Sequence, residues 1–181
     1  MKRADSPDGR LDDCLQLVDE TIGNVREISQ LLHPTLLDDF GLDASLHWLA
    51  ERFTQRTGIE VDYVSNFSGR LPEETETHLF RIAQEALTNI ARHSSASRAR
   101  IEVAADNGNV RLSIEDNGTG LTERDSSSAG GMGMIGMRAR ARSAGGEIKL
   151  RSTAGSGVLV EVSVPVRGVK HEQQEDPSPA R

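Results

Sequence analysis

The sequence predicts an α+β fold in which hairpin-joined strands lie beside segregated helices. Three observations carry this. A run from Glu73 to Ser95 places Leu79, Ile82, Ala83, Ala86, Leu87 and Ile90 on one helical stripe. Two alternating segments, Arg98 to Ala105 and Val110 to Glu115, flank Asp106-Asn107-Gly108-Asn109, a strong hairpin turn signal. Two further strands, Glu147 to Ser152 and Gly157 to Val164, follow a helix from Met134 to Ser143 that Gly145-Gly146 closes. The order is helices, strand, helix, two strands, helix, two strands, without internal repeats.

The remaining elements follow in chain order. Residues 1–10 are polar, with Pro7 and Gly9, and are expected to fray. Leu15, Val18, Ile22 and Val25 then alternate steps of three and four, between Leu11 and the group Ile28, Leu31 and Leu32. This narrow seam predicts a helix from a dimerising bundle, although Gly23 and Ser29 interrupt it. A single amphipathic helix packed on its own domain is the other reading. Pro34 ends that helix, because the residue before proline avoids helical geometry. Asp43 is expected to cap a second helix carrying Leu46, Leu49, Ala50 and Phe53, which Gly58 closes. Ile59, Val61 and Tyr63 alternate as a short strand. After Pro165 the chain turns polar, and residues 167–181 are expected to be disordered.

Composition narrows the function. Among 181 residues 36% are hydrophobic, which suits one domain plus a smaller appendage. Aromatics are 3%, so the core must be mainly aliphatic. A net charge of -7 argues against nucleic acid as a direct partner. Arg138, Arg140 and Arg142 could meet phosphate or an acidic protein, or form a solvated helix face. Cys14 is the only cysteine, which excludes an intramolecular disulfide and a cysteine-rich zinc site and fits a reducing cytoplasm. The first thirty residues lack a signal-peptide core, and no apolar stretch is long enough to span a bilayer. A cytoplasmic, soluble segment is expected, possible also as a portion of a membrane-anchored protein.

The chemistry concentrates in one helix and two glycine runs. Glu85 and Asn89 are four apart and share a helix face, which Arg92 and His93 continue one turn later, opposite the apolar stripe. Asn89 offers a neutral oxygen to a hard cation such as magnesium. Glu85 can orient a metal-bound water or accept a proton. Arg92 and His93 can steady phosphate. Asp116 ends a strand that carries Val110, Leu112 and Ile114. Ionised, it only accepts hydrogen bonds, which suits the exocyclic amine of adenine. Gly118 and Gly120 let the chain turn close beneath a base. Gly131, Gly133 and Gly136 open the next helix, where backbone N–H groups can bind phosphate. The serine-rich run Ser126 to Gly130 before it reads as a lid or as a plain linker. Each motif alone is also an ordinary turn or a solvated helix face. Together they suggest a pocket for an adenine nucleotide.

These residues resemble the catalytic ATP-binding domain of two-component sensor histidine kinases, within the wider group of gyrase, Hsp90 and MutL ATPases. HLFRIAQEALTNIARH, His78 to His93, resembles the asparagine box of that family. Asp116 to Gly120 resembles its first glycine box, and GMGMIGMR, Gly131 to Arg138, its second. LLHPTLLDDFGL, Leu31 to Leu42, resembles the junction between dimerisation bundle and ATP domain. The junction and the Arg92-His93 ending point to the subfamily whose partners are helix-turn-helix response regulators. The resemblance spans Leu15 to Val166, with the four segments in the family's order.

The resemblance implies a two-layer sandwich, with a mixed sheet backed by helices. It implies residues 11–42 as the second bundle helix and junction, and 43–166 as the ATP-binding domain. It makes Asn89 the magnesium ligand, Glu85 its neighbouring acid and Asp116 the adenine reader. Gly118, Gly120, Gly131, Gly133, Met134, Gly136 and Val158 would line the nucleotide, with Arg92 and His93 near phosphate. Two positions depart from the subfamily pattern. Ala139 stands where a glutamate is usual, and Val158 follows Gly155-Ser156-Gly157 where threonine is common.

The implied reaction passes the γ-phosphoryl of Mg-ATP to a histidine, and thence to a response-regulator aspartate. No acceptor motif of the family's first bundle helix occurs in the chain, so the histidine is expected on a missing segment or another chain, with homodimerisation through the N-terminal helix. An anti-sigma-type serine kinase and a non-catalytic nucleotide-sensing module of the same fold are the alternatives.

Overall fold

The computed structural model describes residues 35–106, 108–121, 132–152 and 155–166. The bundle seam, both terminal segments and the serine-rich run lie outside the described residues. The sheet has five strands in the order β1-β2-β3-β5-β4. Strand β1 (Glu60–Ser65) runs parallel to β2 (Arg98–Asp106). The remaining neighbours are antiparallel: β2 with β3 (Asn109–Asp116), β3 with β5 (Val158–Pro165), and β5 with β4 (Glu147–Ser152). Helices α1 (Thr35–Thr57), α2 (Glu73–Asn89) and α3 (Met132–Ser143) form the second layer. The expected α+β sandwich with a mixed sheet is therefore the observed fold.

Side-chain period decides which face is which. On β2 the inward set is Ala99, Ile101 and Val103; on β3 it is Val110, Leu112 and Ile114; on β5 it is Val160, Val162 and Val164. All are buried, and they meet the α2 stripe Leu79, Ile82, Ala83, Ala86, Leu87 and Ile90, together with Phe80. The alternate residues face outward and carry charge. Arg98 pairs with Glu60 at 2.9 Å and Arg100 with Asp62 at 2.8 Å across β1 and β2. Such exposed pairs stabilise little. They keep the open sheet face from stacking on another sheet.

Two local expectations are corrected. Asp43 does not cap the second helix. Helix α1 runs from Thr35 to Thr57, so Asp43 lies inside it. A break at Gly41 (φ 79°, ψ −175°) divides α1. The Asp43 carboxylate instead accepts the Tyr63 hydroxyl at 2.7 Å. The second correction concerns the helix predicted to run to Ser95. The α-helical period holds through Asn89, and Ile90–Ser94 winds as a π-helical turn before Ser95 turns left-handed (φ 53°). Such wide turns cost regular hydrogen bonding and recur at functional sites.

Truncating Ile82 or Leu112 to alanine should cost about 2–5 kcal/mol in urea unfolding, whereas Glu115→Ala on the outer face should stay within about 0.5 kcal/mol. Burial first, and the Asp43 hydrogen bond second, raise the Tyr63 hydroxyl above the ordinary tyrosine range. The folded chain thus favours the protonated phenol. Its contribution is fully present below about pH 10 and fades as pH rises beyond that. Tyr63→Phe should flatten this alkaline loss in a pH series of unfolding midpoints.

Candidate functional site

Asp116 is the next inward position after Val110, Leu112 and Ile114, so the strand's period aims its carboxylate at the helical layer. It is only 4% exposed. Oδ1 accepts the Gly118 N–H at 2.8 Å, and Oδ2 accepts the Val158 N–H at 3.3 Å. Two glycines make this possible by their lack of a side chain. A Cβ on Gly157 (φ 77°) would collide with the Asp116 carbonyl oxygen. One on Gly118 would collide with the Ser94 carbonyl oxygen and lie 2.7 Å from Asp116 Oδ1.

Three backbone segments close around this carboxylate. The Ser94 carbonyl accepts the Thr119 N–H at 2.8 Å, and the Thr119 carbonyl accepts the Gly155 N–H at 2.8 Å. The Ser152 hydroxyl accepts the Leu121 N–H at 2.7 Å and donates to the Gly157 carbonyl at 3.0 Å. Asn117 braces the rim, its Oδ1 accepting the Ser97 and Arg98 N–H groups at 3.0 and 2.9 Å.

Helix α2 joins both glycine runs. A Cβ on Gly133, in the first turn of α3, would collide with Glu85 Oε1, so the Glu85 carboxylate lies against that turn. An acid at a helix start is favourably placed for the dipole. The second junction is Ser94 against Gly118. Glu85 and Ser94 are nine residues apart, about 13 Å along a helix, and Asn89 lies between them, half-buried. Met134 and Val158 are half-buried and pack against the core. Gly136 has Arg140 Nη1 2.8 Å from where a Cβ would stand. Gly120 takes φ 72° in the Asp116 loop. Arg92 and His93 sit exposed on the π-helical turn, off the α-helical phase that the sequence reading assumed. Gly131 lies outside the described residues.

Electrostatics and donor chemistry follow. Burial first, then the charge of Arg140, lowers the Arg81 guanidinium pKa at the α2–α3 seam, where Arg81 donates to Gln84 Oε1 at 2.9 Å. Among the described residues no cluster of three or more His, Cys, Asp or Glu side chains could hold a metal ion. The donors present, the Asn89 amide oxygen with Glu85 one turn earlier, fit a hard cation whose other ligands come from phosphate and water. A concavity of about 570 Å³ opens on the outer sheet face between Glu60, Asp62, Arg98, Arg100 and Glu115. Of the candidate residues only Asp116 borders it, beside Asn117 and Ser156 of the surrounding loops.

Sequence reasoning missed Gly157, Ser94 and the bracing role of Asn117. The second glycine of Gly155-Ser156-Gly157 was the available signal for the first. Nothing local distinguishes Ser94, whose contribution is a backbone carbonyl.

Asp116→Asn should destabilise the ligand-free chain by about 1–3 kcal/mol, because an amide nitrogen would then face one of the two backbone N–H donors. Chemical denaturation measures this. Gly157→Ala should be more damaging than Gly155→Ala. Both take positive φ (77° and 78°), but a side chain at Gly155 meets open space, leaving only about 1–2 kcal/mol of backbone cost there.

Comparison with known proteins accords with this geometry. The family described as histidine kinase-, DNA gyrase B-, and HSP90-like ATPase matches residues 74–168. The chain is 32% identical over 151 residues to the oxygen sensor histidine kinase NreB of Staphylococcus carnosus, covering 83% of this chain and 44% of that protein. It is 37% identical over 133 residues to the sensor histidine kinase MctS of Rhizobium johnstonii, covering 72% of this chain and 29% of that one. The chain thus spans less than half the length of these relatives. Among solved structures, the histidine kinase domain of the Erythrobacter litoralis EL346 blue-light activated histidine kinase matches with TM-score 0.65 at 20% identity, covering 89% of this chain and 86% of that one. The catalytic domain of histidine kinase ThkA matches with TM-score 0.56 at 15% identity, covering 69% and 91%. At those identities the two structures speak for the fold. The family match over the helix and loops that build the site identifies this chain as a member of the histidine kinase-, DNA gyrase B- and HSP90-like ATPase family.

Proposed function

We propose that this chain is the ATP-binding catalytic portion of a sensor histidine kinase. The observation that carries the reading is the buried Asp116 carboxylate, braced by the Gly118 and Val158 N–H groups where three loops meet. A carboxylate so held offers an acceptor for the exocyclic amine of adenine and rejects a keto oxygen. Gly118 and Gly120 form the turn beneath the base, with Val158 beside it. Gly131, Gly133, Met134 and Gly136 form the second glycine run at the start of α3. Asn89 would hold magnesium together with the nucleotide phosphates, and Glu85 would orient its water shell. Magnesium, when bound, supplies charge neutralisation on the phosphates. Arg92 and His93, exposed on the π-helical turn, would serve the phosphate end.

The chain's part in transfer is positioning and charge stabilisation, which dominate phosphoryl-transfer catalysis. The γ-phosphoryl passes to a histidine supplied by another segment or chain, and from there to the aspartate of a response regulator with a helix-turn-helix output domain. In this reading residues 11–42 belong to a dimerisation bundle and its junction, and 43–166 form the nucleotide-binding domain. Among the described residues no helix is long and apolar enough to cross a membrane.

The test is titration with a non-hydrolysable ATP analogue and with its GTP counterpart, each with and without magnesium. The expected results are a preference for adenine of at least tenfold, about 1.4 kcal/mol, and tighter binding with magnesium. Under conditions where Asp116→Asn remains folded, it should lose at least tenfold in ATP affinity. Asn89→Ala should lose the magnesium dependence. Unchanged binding in Asp116→Asn would remove Asp116 from its assigned role. Labelled phosphate transferred to an added acceptor should be released by acid, as from phosphohistidine; acid-stable product would favour the serine kinase reading.

A further inference from the structure

Away from the candidate site, one buried charge has a partner set that none of the proposed nucleotide chemistry uses. Glu76, in the first turns of α2, is 1% exposed. Its Oε1 accepts the Leu71 N–H at 2.8 Å. Arg70 meets the same carboxylate through Nε, at 3.1 and 3.2 Å, and through Nη2, at 3.1 Å. A carboxylate this deeply buried requires a cation and hydrogen bonds around it. The other side of the Arg70 fork reaches a different element. Nη2 donates to the Leu37 carbonyl and Nη1 to the Asp38 carbonyl, both at 3.3 Å.

Those carbonyls belong to the turn just before Gly41, where the backbone of α1 departs from helical geometry. A cation there also faces the negative end of that segment's dipole. Gly41 fits the arrangement twice: its φ of 79° suits glycine, and a Cβ on it would lie 2.8 Å from Arg70 Cδ. Leu37 on one side of the break and Leu42 on the other are both buried in the common core. The guanidinium therefore ties the segment before the break to the α2 start, some thirty residues further along the chain (|i−j| of 32 and 33 for the two bonds).

We infer that Arg70, held by Glu76, is a positioning residue that locks the segment 35–40 at one angle to the helix after Gly41. It thereby fixes how residues 35–40 lie against the start of α2. Its consequence for catalysis rests on the proposed kinase reading: the locked segment 35–40, part of the proposed junction, would hold that junction at one angle to the nucleotide-binding domain. Lysine cannot replace arginine here, since one ammonium can pair with Glu76 but cannot fork to both carbonyls.

The experiment uses the full chain with Cys14→Ser and paired spin labels at Asp39→Cys and Gln55→Cys, positions exposed on either side of the break. Pulsed electron resonance should give one narrow distance in the parent. Arg70→Lys should broaden or displace it, and so should Gly41→Ala, whose Cβ would crowd the same side chain at Cδ and Nε. Affinity for the ATP analogue should stay within about twofold in both variants. An unchanged narrow distance in both variants would overturn the inference. So would a loss of nucleotide affinity parallel to the broadening, because Arg70 would then serve the pocket or general stability. Failure of the parent to bind the analogue would sink the proposed function and leave the distance result standing.

Discussion

The site depends on one buried carboxylate that has no cation beside it in the described contacts. Asp116 is stabilised by two backbone N–H groups, from the loop that follows it and from the start of β5. Backbone donors cannot be moved without moving the chain, so the carboxylate fixes the loop geometry as much as the loops fix the carboxylate. Gly118 and Gly157 are the steric condition for that mutual arrangement, since neither position has room for a Cβ. A polar group buried this way is expensive unless fully hydrogen-bonded. Its accepting character toward a ligand is therefore a property of the folded loops, and a shift in any of them alters it.

Helix α2 ties this arrangement to the rest of the domain. Its apolar stripe is the centre of the core, and its opposite face carries Glu85 and Asn89. Because one rigid rod supplies both, packing of Leu79, Ile82 and Leu87 against the sheet sets where Asn89 stands. The rod's two ends are held differently. At its start the Arg70–Glu76 pair binds the segment before Gly41. At its end the π-helical turn delivers the Ser94 carbonyl to the Asp116 loop. Core, junction and candidate site are thus mechanically continuous.

The outer sheet face follows the opposite logic. Its alternating Arg, Glu and Asp residues pair across β1 and β2 and, for Arg100 with Glu102, along β2, and remain in water. They add little stability and leave the face soluble, which lets a two-layer fold leave one side of its sheet open.

Much of this was legible in the sequence because it follows from local periods. The stripe on α2, the alternation in β2, β3 and β5, and the Asn107-Gly108 hairpin signal determined the layers and the inward aim of Asp116. Composition determined a mainly aliphatic core and a net acidic chain. What only tertiary structure decided involves groups distant in sequence meeting through backbone atoms. The identity of Gly157 as Asp116's close neighbour, the Ser94 carbonyl beneath Gly118, and the Arg70 fork onto Leu37 and Asp38 leave no local pattern, since any residue carries a carbonyl. The Asp43 cap signal fails for a related reason: it is short-range, and in the folded chain the carboxylate accepts the distant Tyr63 hydroxyl instead.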